Sequence, residues 1–113
     1  MNIVVYEKRS SEAIDDFSKA VTDTELRYYA SSLIELGIGS MDEIHGAIGR
    51  AMQICNALHV PARSHFKVIY LYKNGTLITD WRLSEMARKL ILLNADPANP
   101  VVAKIQLRLL NGL

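Results

Sequence analysis

The amino-acid sequence predicts a mostly helical α+β domain with about five helices and one β-hairpin at 67–79. A β-branched and aromatic run at 67–72 (KVIYLY), the turn pair Asn74-Gly75 and a second strand at 76–79 indicate the hairpin. Apolar residues at 3–4 spacing, preceded by helix-capping residues, indicate the helices. The chain has 113 residues, half of them hydrophobic, so residues 1–113 are expected to form a single domain around one core.

A short strand and a first helix are predicted at the amino terminus. Residues 2–6 (NIVVY) are β-branched and aromatic, which is typical of a strand. Because a lone hairpin is marginally stable in water, we expect this N-terminal strand to join the hairpin as a third strand. Ser10 or Ser11 can then cap a helix that continues to about residue 21.

Two capping-box patterns predict the second and third helices. Thr22 with Glu25 starts a helix that ends near Gly37, and Ser40 with Glu43 starts the next one. The expected inward faces are Leu26, Tyr29, Leu33 and Leu36 in the second helix, and Ile44, Ile48, Ala51, Met52 and Cys55 in the third.

Two further helices are predicted after the hairpin. Thr79 or Asp80 is expected to cap a fourth helix over 81–94, which carries a broad apolar stripe. The rigid turn 96–100 then starts a last helix over about 101–110. In that turn an asparagine is the expected cap, and a proline occupies the first helical position, where its missing N–H costs nothing.

Charge is unevenly distributed along the chain. Residues 1–46 contain four basic and nine acidic residues, whereas residues 47–113 contain nine basic and three acidic ones, and the net charge is +1. Such asymmetry is typical of a nucleic-acid surface or of a self-complementary dimer. It also arises when two oppositely charged halves attract each other within one fold.

The sequence shows no feature that directs a chain to a membrane or to an oxidising compartment. No apolar run approaches the roughly 20 residues that span a bilayer, and the charged residues 7–9 interrupt the apolar start. Cys55 is the only cysteine, which excludes an intrachain disulfide and a cysteine zinc site. We therefore expect a cytoplasmic protein with no membrane partner.

Patterns for catalysis, metals and cofactors are weak, so the sequence predicts a non-enzymatic protein with no cofactor and no metal. The three histidines, His45, His59 and His65, match no established metal-ligand spacing. Cys55 lies on the apolar side of the third helix, where a free cysteine behaves as a small hydrophobe. The chain contains no nucleophile elbow and no glycine-rich phosphate loop.

Two glycines inside the predicted third helix need an explanation. Gly46 and Gly49 each cost a helix up to about 1 kcal/mol relative to alanine. Close packing of another backbone against them is the more frequent reason. The alternative is that a ligand backbone or a phosphate approaches this side of the helix.

Three helices followed by a hairpin resemble the order of a winged helix-turn-helix, in which a reading helix and the wing both contact DNA. The third helix would be the reader, with His45, Arg50, Gln53 and Asn56 exposed to base edges and phosphates. The pI of about 7.9 does not indicate a strongly basic domain. The candidate nucleic-acid-binding residues are Arg50, Arg63, Lys67, Lys73, Arg82, Arg88 and Lys89.

From about residue 49 to residue 110 the chain resembles the amino-terminal part of the bacterial DNA-damage-inducible protein D family, which is related to Bro-type and phage antirepressor domains. The residues that carry the resemblance are His65-Phe66, Asp80-Trp81-Arg82-Leu83-Ser84, Ala87, Leu90, Asn94-Ala95-Asp96-Pro97, Pro100, Ala103 and Gln106. The chain departs from the family at 85–89, where the family has Arg-Tyr-x-Cys-Tyr, and at Arg108-Leu109, where it has an aromatic pair.

The resemblance implies a part in the DNA-damage response or in mobile-element regulation, and scaffold roles for the shared residues. These scaffold residues are His65, Phe66, Asp80, Leu83, Ser84, Asn94, Asp96 and Gln106. Asp80 would cap the fourth helix with support from Ser84, and Asn94 would end that helix in the left-handed conformation. Asp96 would redirect the chain, and Gln106 would bond back to this turn.

Two hypotheses about function follow. The first is a small regulatory or interaction domain that acts on DNA or on a DNA-bound protein. The alternative is a structural module of unknown role that forms a homodimer and binds no nucleic acid. In that alternative the last helix carries more apolar residues than one small core can bury: Val101, Val102, Ile105, Leu109, Leu110 and Leu113.

Overall fold

The computed structural model describes residues 19–112, and their architecture is α+β and mostly helical, as predicted. The elements are β1 (Tyr28–Tyr29), α1 (Ala30–Glu35), α2 (Met41–Ala57), a 3₁₀ turn (Ala62–Ser64), β2 (Phe66–Lys73), β3 (Thr76–Leu83), α3 (Glu85–Asn94) and α4 (Pro100–Gly112). Residues 19–22 are also helical. Within residues 19–112, no helix is long and apolar enough to cross a membrane.

The predicted hairpin is confirmed, and its strands are longer than expected. β2 and β3 pair antiparallel from Phe66 opposite Leu83 to Lys73 opposite Thr76. Asn74 and Gly75 both have positive φ angles, 55° and 78°, as the turn of a twisted two-residue hairpin requires.

The third strand of the sheet comes from an unexpected place. The sheet order is β1-β3-β2, and Tyr28 and Tyr29 of β1 pair antiparallel with Leu83 and Arg82 of β3. The strand predicted at 2–6 lies outside the described residues.

The second helix does not start where the capping-box pattern predicted. The Thr22 hydroxyl donates to the carbonyl of Lys19, 3.2 Å away, at the end of the preceding helical turn. The chain then runs extended through Tyr28–Tyr29, and α1 begins only at Ala30. The ladder with β3 therefore overrides the local helical pattern, and of the four residues expected to face inward only Leu33 is fully buried.

The fourth helix also starts later than expected. Residues 81–83 belong to β3, and α3 begins at Glu85. Its N-cap is Ser84, whose hydroxyl accepts a hydrogen bond from the backbone N–H of Ala87 at 3.1 Å. Cross-strand pairing holds the Asp80–Leu83 stretch extended, so neither Thr79 nor Asp80 caps this helix.

Two other helix starts are confirmed. Ser40 and Glu43 form the reciprocal capping box of α2. Asn99 starts α4, because its side-chain oxygen accepts from the N–H of Val101 at 2.9 Å.

The core lies where α2 packs on α3, and α1 and α3 contact the base of the sheet at β3. Phe66 and Leu83, directly opposite each other, project from the same face of the hairpin into this core. The other buried apolar residues are Ala30, Leu33, Ile38, Ile44, Ala47, Ile48, Ala51, Cys55, Val60, Ala87, Ile91, Leu92, Ala95 and Val102.

Candidate nucleic-acid interface

α2 has one buried side and one exposed side, which its helical periodicity separates cleanly. The buried side follows Ile44, Ile48, Ala51 and Cys55 in a 3–4 rhythm. On the other side, an exposed row consists of His45, Gly49, Gln53 and Asn56, hereafter called the α2 row. The three predicted contact residues His45, Gln53 and Asn56 are thus exposed, as expected.

Among residues 19–112, no other backbone packs against the two glycines of α2, so close packing within this part of the chain does not explain them. A Cβ atom added to Gly49 would meet no atom of residues 19–112 within 4 Å. At Gly46 the nearest atom is a guanidinium nitrogen of Arg50, at 3.4 Å, the mobile end of a side chain. The α2 row therefore has an open gap at its centre, where an external group can reach the helix backbone.

The α2 row is continuous with the hairpin. The ring of His45 lies edge-on to the indole of Trp81 in β3, with ring centroids 6.3 Å apart and planes at 73°. Trp81 is opposite Val68 in the hairpin, two pairs out from Phe66 and Leu83, which lie in the core. The contact fixes the hairpin beside the first half of α2, and nothing in the sequence pattern indicated it.

Two of the predicted contact residues hold the fold rather than face solvent. Arg82 donates to the carbonyl of Leu26 at 2.9 Å, and its guanidinium lies 5.9 Å from the ring centre of Tyr29. Arg88 places its guanidinium 4.5 Å from the ring centre of Tyr28. Each tyrosine of β1 is therefore the aromatic partner in one cation–π pair. The aromatic pair at 28–29, a β-type signal, could have indicated this strand.

Two more candidate residues have partners within the chain. Arg50 donates to the carbonyl of Asn94 at the end of α3, at 2.5 Å. Lys89 is 3.5 Å from the carboxylate of Glu85, one turn earlier on the same helix. Neither side chain extends the α2 row, because Arg50 reaches across to α3 and Lys89 lies on α3 itself.

The remaining three candidates, Arg63, Lys67 and Lys73, are exposed, and none has a hydrogen-bond or ion-pair partner among residues 19–112. Lys67 and Lys73 lie on the same face of β2, which is opposite to the face that carries Phe66 into the core. The seven predicted contact residues therefore do not form one basic patch.

Arg63 shares a cleft with the last residue of the α2 row. It lines an open cleft of about 490 Å³ between the end of α2 and the 3₁₀ turn, together with Met52, Asn56, Val60 and Phe66. Asn56 is the last member of the α2 row, so this cleft extends the row toward a cationic side chain.

The His65-Phe66 and Leu83-Ser84 pairs form a buried polar junction at the base of the hairpin. His65 is fully buried, with Nδ1 2.7 Å from the hydroxyl of Ser84 and Nε2 3.0 Å from the carbonyl of Val21. A carbonyl can only accept, so Nε2 carries the proton and Nδ1 accepts from the Ser84 hydroxyl. The junction therefore ties the hairpin base and the start of α3 to the helical residues 19–22.

Two of the scaffold predictions, those for Asp80 and Asn94, are wrong. Asp80 does not cap α3, the helix that follows it. Its carboxylate instead accepts from the backbone N–H and the hydroxyl of Ser31, at 3.0 and 2.6 Å, at the start of α1. Asn94 is not left-handed, since it is the last residue of α3, and its side chain donates to the carbonyl of Leu90. The helix ends at Ala95, whose backbone is extended, with φ −76° and ψ 163°.

The turn between α3 and α4 forms the two contacts predicted for it, one from Asp96 and one from Gln106. Asp96 accepts from the N–H of Ala98 at 2.9 Å, which bends the chain. The Gln106 amide donates to the carbonyls of Leu92 and Ala95, at 3.0 and 3.1 Å, and so bonds α4 back to the end of α3. The Leu92 carbonyl also accepts from the backbone N–H of Ala95 at 3.4 Å, and the Gln106 side chain contacts both carbonyls at this helix end.

The described part of the chain offers neither a metal-ligand cluster nor an exposed thiol. Residues 19–112 contain no cluster of three or more histidine, cysteine or acidic side chains that could hold a metal ion. Cys55 is buried in the core, and this burial raises the pKa of its thiol, which keeps it protonated.

No family model, curated protein or solved structure matches the chain. The resemblance to the DNA-damage-inducible protein D family therefore remains a prediction.

Proposed function

We propose that this protein is a small, non-enzymatic regulatory domain that binds duplex DNA, with α2 as the reading helix and the β2–β3 hairpin as a wing. The order of its elements supports this proposal. A short helix, a turn and a longer helix (α1 and α2) precede a hairpin, and β1 pairs beside β3. This is the element order of a winged helix-turn-helix.

The observation that carries the proposal is the open α2 row. An α-helix fits the major groove of B-DNA, and imidazole and amide side chains can contact base edges and phosphates there. The row offers His45, Gln53 and Asn56, and Gly49 between them removes a side chain where the helix backbone would approach the DNA. The absence of a packing role for this glycine favours an external partner.

Electrostatics supports modest rather than strong binding. Arg63, Lys67 and Lys73 are the candidates that remain available for phosphates. Asp42 and Glu43, at the start of α2, repel a phosphate there. The contact region therefore lies along the middle and end of α2 and at the tip of the wing, and binding should weaken steeply with salt.

A matched pair of substitutions at Gly49 tests the reading helix. Gly49→Gln and Gly49→Glu add side chains of nearly equal size, and both fit because no atom lies near the new Cβ. Both should stabilise α2 slightly, since glycine is the poorer helix former. If α2 faces the phosphates, the Glu variant should bind labelled duplex DNA at least about tenfold more weakly than the Gln variant. Equal affinities of the two variants would contradict the proposal.

A second pair of substitutions tests the wing. Lys73→Glu, at the tip of the hairpin, should weaken DNA binding several-fold, whereas Lys104→Glu on α4 makes the same charge change on another element and should have little effect. Arg82 is unsuitable for this purpose because it holds the segment that contains Leu26.

A role in the DNA-damage response or in mobile-element regulation rests on the family resemblance alone. A DNA-bound protein is the second candidate partner under the same resemblance. A role on DNA would place the protein in the cytoplasm, the compartment that holds the DNA in the bacterial family it resembles.

A further inference from the structure

The outer part of the hairpin exposes a large apolar surface. This region, residues 68–72 and 76–79, is hereafter called the hairpin overhang. Tyr72 is 79% exposed, Tyr70 64% and Leu77 54%, and Val68, Leu71 and Ile78 are also exposed. A free two-stranded hairpin is marginally stable in water, so this amount of unpacked apolar surface needs a cover.

The strand register separates the overhang into two faces. Tyr70, Tyr72 and Leu77 lie on the face that carries Phe66 and Leu83 into the core at the hairpin base. We call this the core-side face. The core of the molecule ends near Trp81, and the core-side face continues beyond it with no covering residue from 19–112.

The chemistry of the overhang selects its partner. Its two segments, VIYLY and TLIT, contain no charged residue. Charged side chains begin only at Lys73 at the tip and at Lys67 and Asp80 toward the base. A phosphate backbone requires cations, so an apolar protein surface fits this face better than nucleic acid does.

The size of the core-side face matches what a dimer needs. A tyrosine side chain presents roughly 200 Å², so Tyr70 and Tyr72 together expose about 300 Å². Leu77 and Val68 extend this area on the same face. A stable interface buries roughly 800 Å² on each partner, a little over half of it apolar. The core-side face therefore supplies most of the apolar part of one such interface.

We propose that the cover is a second copy of this chain, with the two core-side faces packed on each other around a two-fold axis. A pleated apolar surface can pack on a second copy of itself, and two such faces lie about 10 Å apart. When the two-fold axis is perpendicular to the hairpin strands, the two Lys73 tips lie at opposite ends of the dimer interface. Their like charges therefore stay apart. The tyrosine hydroxyls can reach water at the edges.

The test uses sedimentation equilibrium of the full chain over about a hundredfold range of concentration. The wild-type mass should rise from one chain to two. Tyr70→Thr with Tyr72→Thr keeps β-propensity and removes the aromatic area, and should weaken dimerisation at least about a hundredfold. The control, Leu107→Gln with Leu110→Gln, alters the two most exposed leucines of α4, 60% and 65% exposed, and should leave the dimer intact.

Hydrogen exchange provides an independent readout should the hairpin variant fold poorly. In the wild-type protein, exchange protection of the amides in 68–72 should rise with protein concentration. A wild-type monomer at all concentrations overturns the proposal, and protection of the tyrosines in that monomer would assign the cover to residues 1–18 of the same chain. Loss of the dimer only in the α4 control would also overturn it. Since none of these measurements contains DNA, failure here is distinct from failure of the proposed function.

Discussion

The carboxylate of Asp80 caps α1 through Ser31, a residue 49 positions earlier in the chain. One oxygen accepts from the backbone N–H of Ser31 and the other from its hydroxyl, while the N–H of Trp81 also donates to the first. α1 has no side-chain cap from its own N-cap residue, Tyr29. A negative charge at this end also favours the helix dipole. The contact therefore fixes α1, and with it the turn before α2, to the base of the hairpin.

Removing this cap should cost more than removing an exposed one. Asp80 is nearly fully buried, so Asp80→Ala should lower the free energy of unfolding by about 2–3 kcal/mol, measured by urea denaturation. Asp80→Asn retains one accepting oxygen and should recover part of the loss. Asp96→Ala, an exposed turn residue, should cost less than about 1 kcal/mol. Equal costs at the two positions would contradict the cap's structural role.

The buried junction at Ser84 gives a second prediction. Ser84→Ala removes the cap of α3 and leaves Nδ1 of His65 buried without a partner. We expect a loss of about 2–3 kcal/mol in unfolding free energy. Ser40→Ala removes an exposed cap of α2 and should cost about 1 kcal/mol. Thermal or urea unfolding of the two variants side by side would reveal whether His65 depends on Ser84.

Gln106 tests how α4 is attached. Its amide donates to two carbonyls, an interaction that a carboxylate cannot make. Gln106→Glu should therefore destabilise the protein by about 2 kcal/mol at neutral pH, more than Gln106→Ala, because the charge faces carbonyl oxygens. If the glutamate variant were the more stable of the two, the hydrogen-bonding role of Gln106 would be wrong.

Burial of Cys55 predicts a dependence of stability on alkaline pH. Its thiol pKa is raised in the folded protein, so the unfolded chain loses this proton at a lower pH than the folded one does. The contribution of this pKa difference to the free energy of unfolding is complete below the unfolded pKa of about 8.5. It is lost as the pH rises through the folded pKa. Wild type should therefore lose more stability than Cys55→Val between neutral and alkaline pH. Parallel stability curves would show that the thiol does not ionise on unfolding.

Local signals predicted the parts of the fold that local chemistry controls. Asn74-Gly75 determines its own turn, and the Ser40 box and Asn99 cap the helices that follow them. Thr22 with Glu25 had the same form as the Ser40 box and failed, because the chain around it pairs with β3 and receives its cap from Asp80. Contacts between residues distant in sequence decided these boundaries.

The candidate interface was predictable to a similar extent. The exposed side of α2 followed from helical periodicity, and His45, Gln53 and Asn56 lie there. Charge alone could not show that Arg82 and Arg88 stack on tyrosines, since those contacts exist only after β1 joins the sheet. In the sequence, the apolar residues of the hairpin have the pattern of an ordinary strand. Only their exposure in the structure shows that no residue from 19–112 packs over them.

DNA binding through α2 and the hairpin is best tested by the fluorescence anisotropy of labelled duplex and single-stranded DNA, titrated with the wild-type protein at low and moderate salt. We expect preferential binding of duplex, with log K falling against log salt concentration at a slope of about −3, as for roughly three phosphate contacts from Arg63, Lys67 and Lys73. A preference for single strands would contradict the reading-helix arrangement. No binding of either DNA at low salt would contradict the proposed function altogether.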